Sequence, residues 1–136
     1  KHFFINQTPQ KVFDYLTDPT YYAEWQASTK SAILTSRGPL GAGSTIRVTG
    51  SVLGRKIEVE LVVTTYDPPR QYSFRTTSGP AKGEMDHHLT AEGNGTKLTV
   101  AGKLEIGGFL ENLAARQVET RVEEDARHMK ARLEAK

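Results

Sequence analysis

Two histidines stand side by side at His87 and His88, inside the stretch EMDHHLTAE. An imidazole titrates near neutrality, so it can take or give a proton or orient a polar group. Adjacent residues of a strand point to opposite faces, so these two rings cannot hold one metal ion together. Met85 and Leu89 share parity with His87, which puts His87 on the inner, covered face and His88 outside. His87 is therefore the candidate for general-base or ligand-orienting work. Its plain alternative is a wall histidine whose hydrogen bonds are already made. Asp86 shares the outer face and is expected in solvent.

A carboxylate pair can divide acid and base roles, and Glu58 and Glu60 sit two apart on one face. They alternate with Ile57, Val59 and Leu61, so they belong to a wet face and read as solvated. Arg47 and Thr49 alternate with Ile46 and Val48 and fall outside too. His2 and His128 are isolated. No Cys occurs and no His, Asp or Glu spacing resembles a zinc site, so no metal is expected. RGPLGAGST is glycine-rich but lacks the lysine and following helix of a phosphate loop, and no serine lies in a G-x-S-x-G elbow. No cofactor is expected.

The stretch TDPTYYAEWQ packs Tyr21, Tyr22 and Trp25 into five residues. Large rings bury much area with few rotamers, which suits a wall or gate. Trp25 and one tyrosine are expected to point inward. Tyr21 is expected to be an exposed ring. The alternative is that all of them only plug a junction.

These residues need elements to position them. A chain of 136 residues is the size of one domain, read here as 1–136. A net charge of +2 with scattered basic residues does not suggest nucleic acid. The apolar runs are far shorter than the roughly 20 residues of a membrane span. With no leader visible and no cysteine, the protein is expected in the cytoplasm; the start at Lys1 leaves room for a trimmed upstream segment.

KHFFINQ reads as a strand. Thr8 is a good N-cap and Pro9 suits the first helical position. Val12, Phe13 and Leu16 then give one apolar helix face, which Asp18-Pro19 ends. Residues 20–26 read as a second short helical turn. From 30 to 106 six β-rich stretches alternate with the turns RGPLGAG, LGRK, YDPPR, TSGPAKG and EGNGT, which predicts consecutive antiparallel strands. Leu61 and Val63, Tyr72 and Phe74, and Leu98 and Val100 mark the covered face. Ser73, Arg75 and Lys97 mark the wet one. Residues 109–136 predict a helix of roughly 42 Å. Its stripe is Leu110, Leu113, Ala114, Val118, Val122, Ala126, Met129 and Leu133. Gln117 and Arg121 flank that stripe; either could reach an apolar interior, although Arg121 is expected to snorkel outward.

The order and the stretches PQKVFDYLTDPTYYAEW, RGPLGAGSTIRV, VVTTYDPPRQYSFRT and GNGTKLTVAGKLE resemble the polyketide cyclase/dehydrase group of the START and Bet v 1-like (SRPBCC) superfamily. The resemblance spans almost the whole chain. It implies an α+β helix-grip fold, in which a curved seven-stranded antiparallel sheet wraps a long C-terminal helix and two short helices follow the first strand. It also implies a deep apolar cavity between sheet and helix. Members bind lipids, sterols, polyketides or plant hormones, and a minority catalyse cyclisation or dehydration.

The expected ligand wall is Tyr22, Trp25, Leu61, Tyr72, Phe74, Met85 and His87 from the first part of the chain. Phe109, Leu113, Gln117 and Val118 complete it. Such a pocket suits a hydrophobic small molecule of lipid, polyketide or aromatic type. Two alternatives stand beside that reading. One is a cyclase or dehydratase using His87 with Tyr72 or Tyr22. The other is a partner-binding domain with a filled interior, favoured by a pocket below roughly 300 Å³. The chain is expected as a monomer or homodimer.

Overall fold

The computed structural model describes the backbone of residues 1–26, 28–52, 54–78, 82–105 and 111–135, and their side chains except at 52, 104, 105 and 111–119. The order is β1 (His2–Ile5), α1 (Pro9–Thr17), a 3-10 turn (Pro19–Tyr21), α2 (Tyr22–Trp25), β2 (Thr29–Leu34), β3 (Thr45–Val52), β4 (Arg55–Asp67), β5 (Gln71–Thr76), β6 (Lys82–Glu92), β7 (Gly95–Glu105) and α3 (Glu111–Glu134). Among the described residues the strands form one antiparallel sheet in the order β1-β7-β6-β5-β4-β3-β2. The first strand thus closes onto the last, and the rest follow as hairpins.

Local chemistry explains the junctions. Thr8 caps α1 by accepting from the Lys11 backbone N–H at 3.4 Å. Asp18 ends α1, and its side chain accepts from the Thr20 N–H at 2.9 Å, starting the 3-10 turn at Pro19. Asp67 and Arg70 brace the β4–β5 turn with contacts of 2.9 and 3.1 Å. Register shifts at Thr29/Ser31 and at Val63/Thr65 bend the sheet, as bulges do. At the first of these the chain passes so close that a Cβ on Gly50 would lie 1.9 Å from the Ser28 carbonyl oxygen.

The core is the inner face of the sheet against α1, α2 and α3. Val12, Phe13, Leu16, Tyr22, Ile46, Val63, Tyr72 and Leu98 are fully enclosed. On α3 the predicted stripe is buried at Val122, Ala126, Met129 and Leu133, while Arg127 and Arg132 face out. Its earlier members, Leu110, Leu113, Ala114 and Val118, lie outside the described side chains. The helix packs on β7, α2 and β1. Its far end is tied down by Gln7, whose amide donates to the Leu133 carbonyl at 2.8 Å, and by Lys130, which donates to the Phe4 carbonyl at 2.7 Å.

Two exposure expectations are corrected. Tyr21 is half-buried, stacked on Tyr15 with ring centroids 5.0 Å apart, because the 3-10 turn lays it against α1. Ser73 is buried although its parity is outward. Its short side chain is overtopped on a bent sheet, beside Gln71, whose amide reaches its hydroxyl at 3.4 Å.

Candidate functional site

The site forms where α2, β6, β7 and α3 converge. Trp25 closes α2 and is buried. His87, on β6, is buried with Leu89 on the inner face, Met85 half-buried beside them, and His88 exposed on the other, as strand alternation requires. Leu98 and Val100 contribute from β7, and Val122, Asp125, Ala126 and Met129 from α3. Trp25, Met85 and His87 line a void of about 30 Å³ together with these residues of β7 and α3.

The polar groups around this void are few. His87 sits opposite Tyr72 in the β5–β6 ladder, and its Nδ1 lies 3.1 Å from the Tyr72 carbonyl oxygen. A carbonyl only accepts, so Nδ1 carries the proton and donates. That leaves Nε2 as the acceptor nitrogen. Burial lowers the His87 pKa to about 4, so the ring is neutral at physiological pH. The indole Nε1 of Trp25 is buried and has no hydrogen-bond partner among the described residues. Asp125 brings a half-buried carboxylate to the same border.

Behind this void lies an aromatic stack. Tyr72 packs against Phe13, Tyr66, Phe74 and His87, and Trp25 packs edge-on to Tyr22 at 5.7 Å. The hydroxyls of Tyr22 and Tyr72 hydrogen-bond to each other in the interior. Burial, then the neighbouring Tyr72, holds the Tyr22 phenol well above its ordinary pKa; burial pushes Tyr72 up to about 12.

The expected wall is thus divided. Trp25, Met85 and His87 meet at the void. Tyr22, Leu61 and Tyr72 are buried in the packed core beside it, and Phe74 is half-buried against that core. Phe109, Leu113, Gln117 and Val118 lie outside the described side chains. Sequence reasoning missed Asp125: it breaks the apolar stripe of α3 yet stands next to Ala126, one step round the helix. Arg121 snorkels outward, donating to the Ser28 hydroxyl at 2.8 Å. Glu58 and Glu60 are exposed and flank Arg47 at 3.7 and 3.5 Å, an outer-face charge cluster. No cluster of metal-ligating side chains occurs among the described residues.

Residues 2–134 match the family model described as polyketide cyclase/dehydrase and lipid transport. The fold is similar to the crystal structure of Ara h 8.0201, at TM-score 0.82 and 15% identity, over 100% of this chain and 96% of that one. It is similar to TTHA0849 from Thermus thermophilus, at 0.82 and 20%, over 99% and 95%. A START superfamily protein from Mycobacterium smegmatis gives 0.80 and 19%, also over 99% and 95%. No curated protein matches the chain in sequence.

Proposed function

The chain belongs to the polyketide cyclase/dehydrase and lipid transport family, and from that premise we propose that it binds a hydrophobic small molecule between its sheet and α3. The observation that carries this reading is the void between sheet and α3, lined by Trp25, Met85 and His87 and by residues of β7 and α3. Apart from His87 and Asp125 the walls are apolar, the combination of greasy lining and few polar groups that ligand pockets use. Trp25 and His87 would form its polar end with Met85 beside them, backed by Tyr22, Leu61, Tyr72 and Phe74. Phe109, Leu113, Gln117 and Val118 would supply the rest of the wall.

The void among the described residues is small, about 30 Å³, and that favours a second reading: a domain whose interior is filled and whose work is done by its surface. A cyclase or dehydratase draws less support. His87 is held by a backbone carbonyl rather than a carboxylate, and an imidazole that titrates near 4 is a weak base. Tyr22 and Tyr72 are bonded to each other and hard to ionise.

Native mass spectrometry of protein taken from cells separates the first two readings. A co-purified lipid-like or aromatic mass, together with a raised melting temperature in its presence, supports binding. No bound mass, and no stabilisation by sterols, fatty acids, flavonoids or quinones, leaves the filled-interior reading.

A further inference from the structure

We propose that the groove between α2 and α3 binds a small zwitterion of amino-acid type, its carboxylate on Arg132 and His128 and its ammonium on Glu24. The groove is lined by Ala23, Glu24, His128, Ala131 and Arg132 and shares no lining residue with the void beside His87. The site therefore stands whether or not the interior takes a ligand.

The groove offers about 280 Å³, just below the range of drug-sized pockets, so a small metabolite fits it. Ala23 and Ala131 fill little of that space and give a carbon skeleton apolar contact. The charged residues come from two sides. Glu24 belongs to α2, and His128 and Arg132, one helical turn apart, belong to α3. Glu24 is held in place: its Oε1 accepts from the Tyr15 hydroxyl at 3.0 Å, and the Tyr15 ring is buried and stacked on Tyr21. Arg132 brings its charge to the same corner. Burial, then the bond to Glu24, holds the Tyr15 phenol above its ordinary pKa, and the Arg132 charge opposes them. Yet no ion pair joins Glu24 to Arg132, and neither Arg132 nor His128 has a hydrogen-bond or ion-pair partner among the described residues. Elsewhere on α3, Lys130 pairs with Glu134 and Arg121 donates to Ser28. The groove thus keeps an acceptor on one wall and donors on the other, unjoined. An anion alone would meet Arg132 but face Glu24, and a cation alone would meet Glu24 but face Arg132. A molecule carrying both charges matches both walls. The planar fork of the guanidinium fits a carboxylate. A peptide carries its ammonium and its carboxylate at separate ends, so a free amino acid suits the groove better than a chain terminus.

L-Phenylalanine, 3-phenylpropionate and phenethylamine share a skeleton and differ in their charged groups. The experiment titrates labelled protein with each at low salt. The backbone amides of Ala23, Glu24, His128 and Ala131 report on the groove, and those of Leu98 and Val100 on the interior. Phenylalanine should shift the groove amides and bind about fivefold more tightly than either one-ended analogue, the gain of one further exposed ion pair. Glu24→Gln should bring phenylalanine within about twofold of 3-phenylpropionate, and Arg132→Gln should bring it within about twofold of phenethylamine. Both residues are exposed, so both variants should fold. Equal affinity for the three probes would overturn the zwitterion site. So would a phenylalanine preference that survives in either variant, because the walls would then not be reading the charges. Shifts confined to Leu98 and Val100 would place the probe in the interior and overturn the groove as its site. Failure of all three probes to bind would overturn the groove as well, and would leave hydrophobic binding beside His87 standing.

Discussion

The imidazole of His87 donates to the backbone carbonyl of Tyr72 across the β5–β6 ladder, at 3.1 Å, and the two rings stack with centroids 6.1 Å apart. One contact thereby fixes the tautomer of His87, its tilt and the side of the ring that meets the void. The neutral state of the ring follows from its burial.

That burial makes stability depend on pH. The unfolded His87 takes a proton near pH 6.5, the folded one only near 4. Between those values the unfolded state binds more protons, so stability falls as pH falls. Across the window the loss is roughly 3 kcal/mol. Urea unfolding at pH 7, 5.5 and 4.5 measures it. His87→Phe should flatten the slope between pH 7 and 5.5, where the carboxyl groups of Asp67, Glu123 and Glu134, lowered by their hydrogen bonds to Arg70, Lys1 and Lys130, are ionised in both the folded and the unfolded state. A wild-type slope retained in the variant would show that another group is responsible.

The Tyr22–Tyr72 pair should show strong coupling. Tyr22→Phe or Tyr72→Phe alone leaves one buried hydroxyl without its partner, at a cost of about 1–3 kcal/mol. The double variant removes both and should cost clearly less than the sum of the singles. A double-mutant cycle by denaturant unfolding checks this; additive losses would mean the hydroxyls do not interact.

Gly50 should not tolerate a side chain. A Cβ there would meet the Ser28 carbonyl, so Gly50→Ala should destabilise by about 1–3 kcal/mol as the β2 bulge is pushed away. Gly41→Ala, where a Cβ meets nothing within 4 Å, should stay within about 0.5 kcal/mol. Thermal or urea midpoints of the two variants compare them directly.

Two leucines of α3 test the proposed wall. Leu133 is buried against the core and Leu133→Ala should cost about 2–5 kcal/mol. Leu113 is proposed to line the ligand space, so Leu113→Ala should cost markedly less in ligand-free protein. Equal losses would assign Leu113 to packed core and count against room for a ligand there.

The sequence alone determined the architecture. A two-residue period is a property of each strand, and a helical stripe is a property of each helix. Both are written locally in β4, β5, β7 and α3, and Thr8, Asp18 and Pro19 mark the junctions by their own side chains. Parity also placed His87 inside and His88 outside. What parity could not give is height. Ser73 points outward yet is buried, because its neighbours are longer and the sheet bends. Nor could it say which inward rings fill space and which border it. Tyr22 and Tyr72 meet hydroxyl to hydroxyl from residues 50 positions apart. Trp25, three residues after Tyr22, instead reaches the void, and its donor finds no partner among the described residues. Those outcomes depend on where α2 and α3 settle on the curved sheet. That choice is made by packing between distant segments, and no short stretch of the chain contains it.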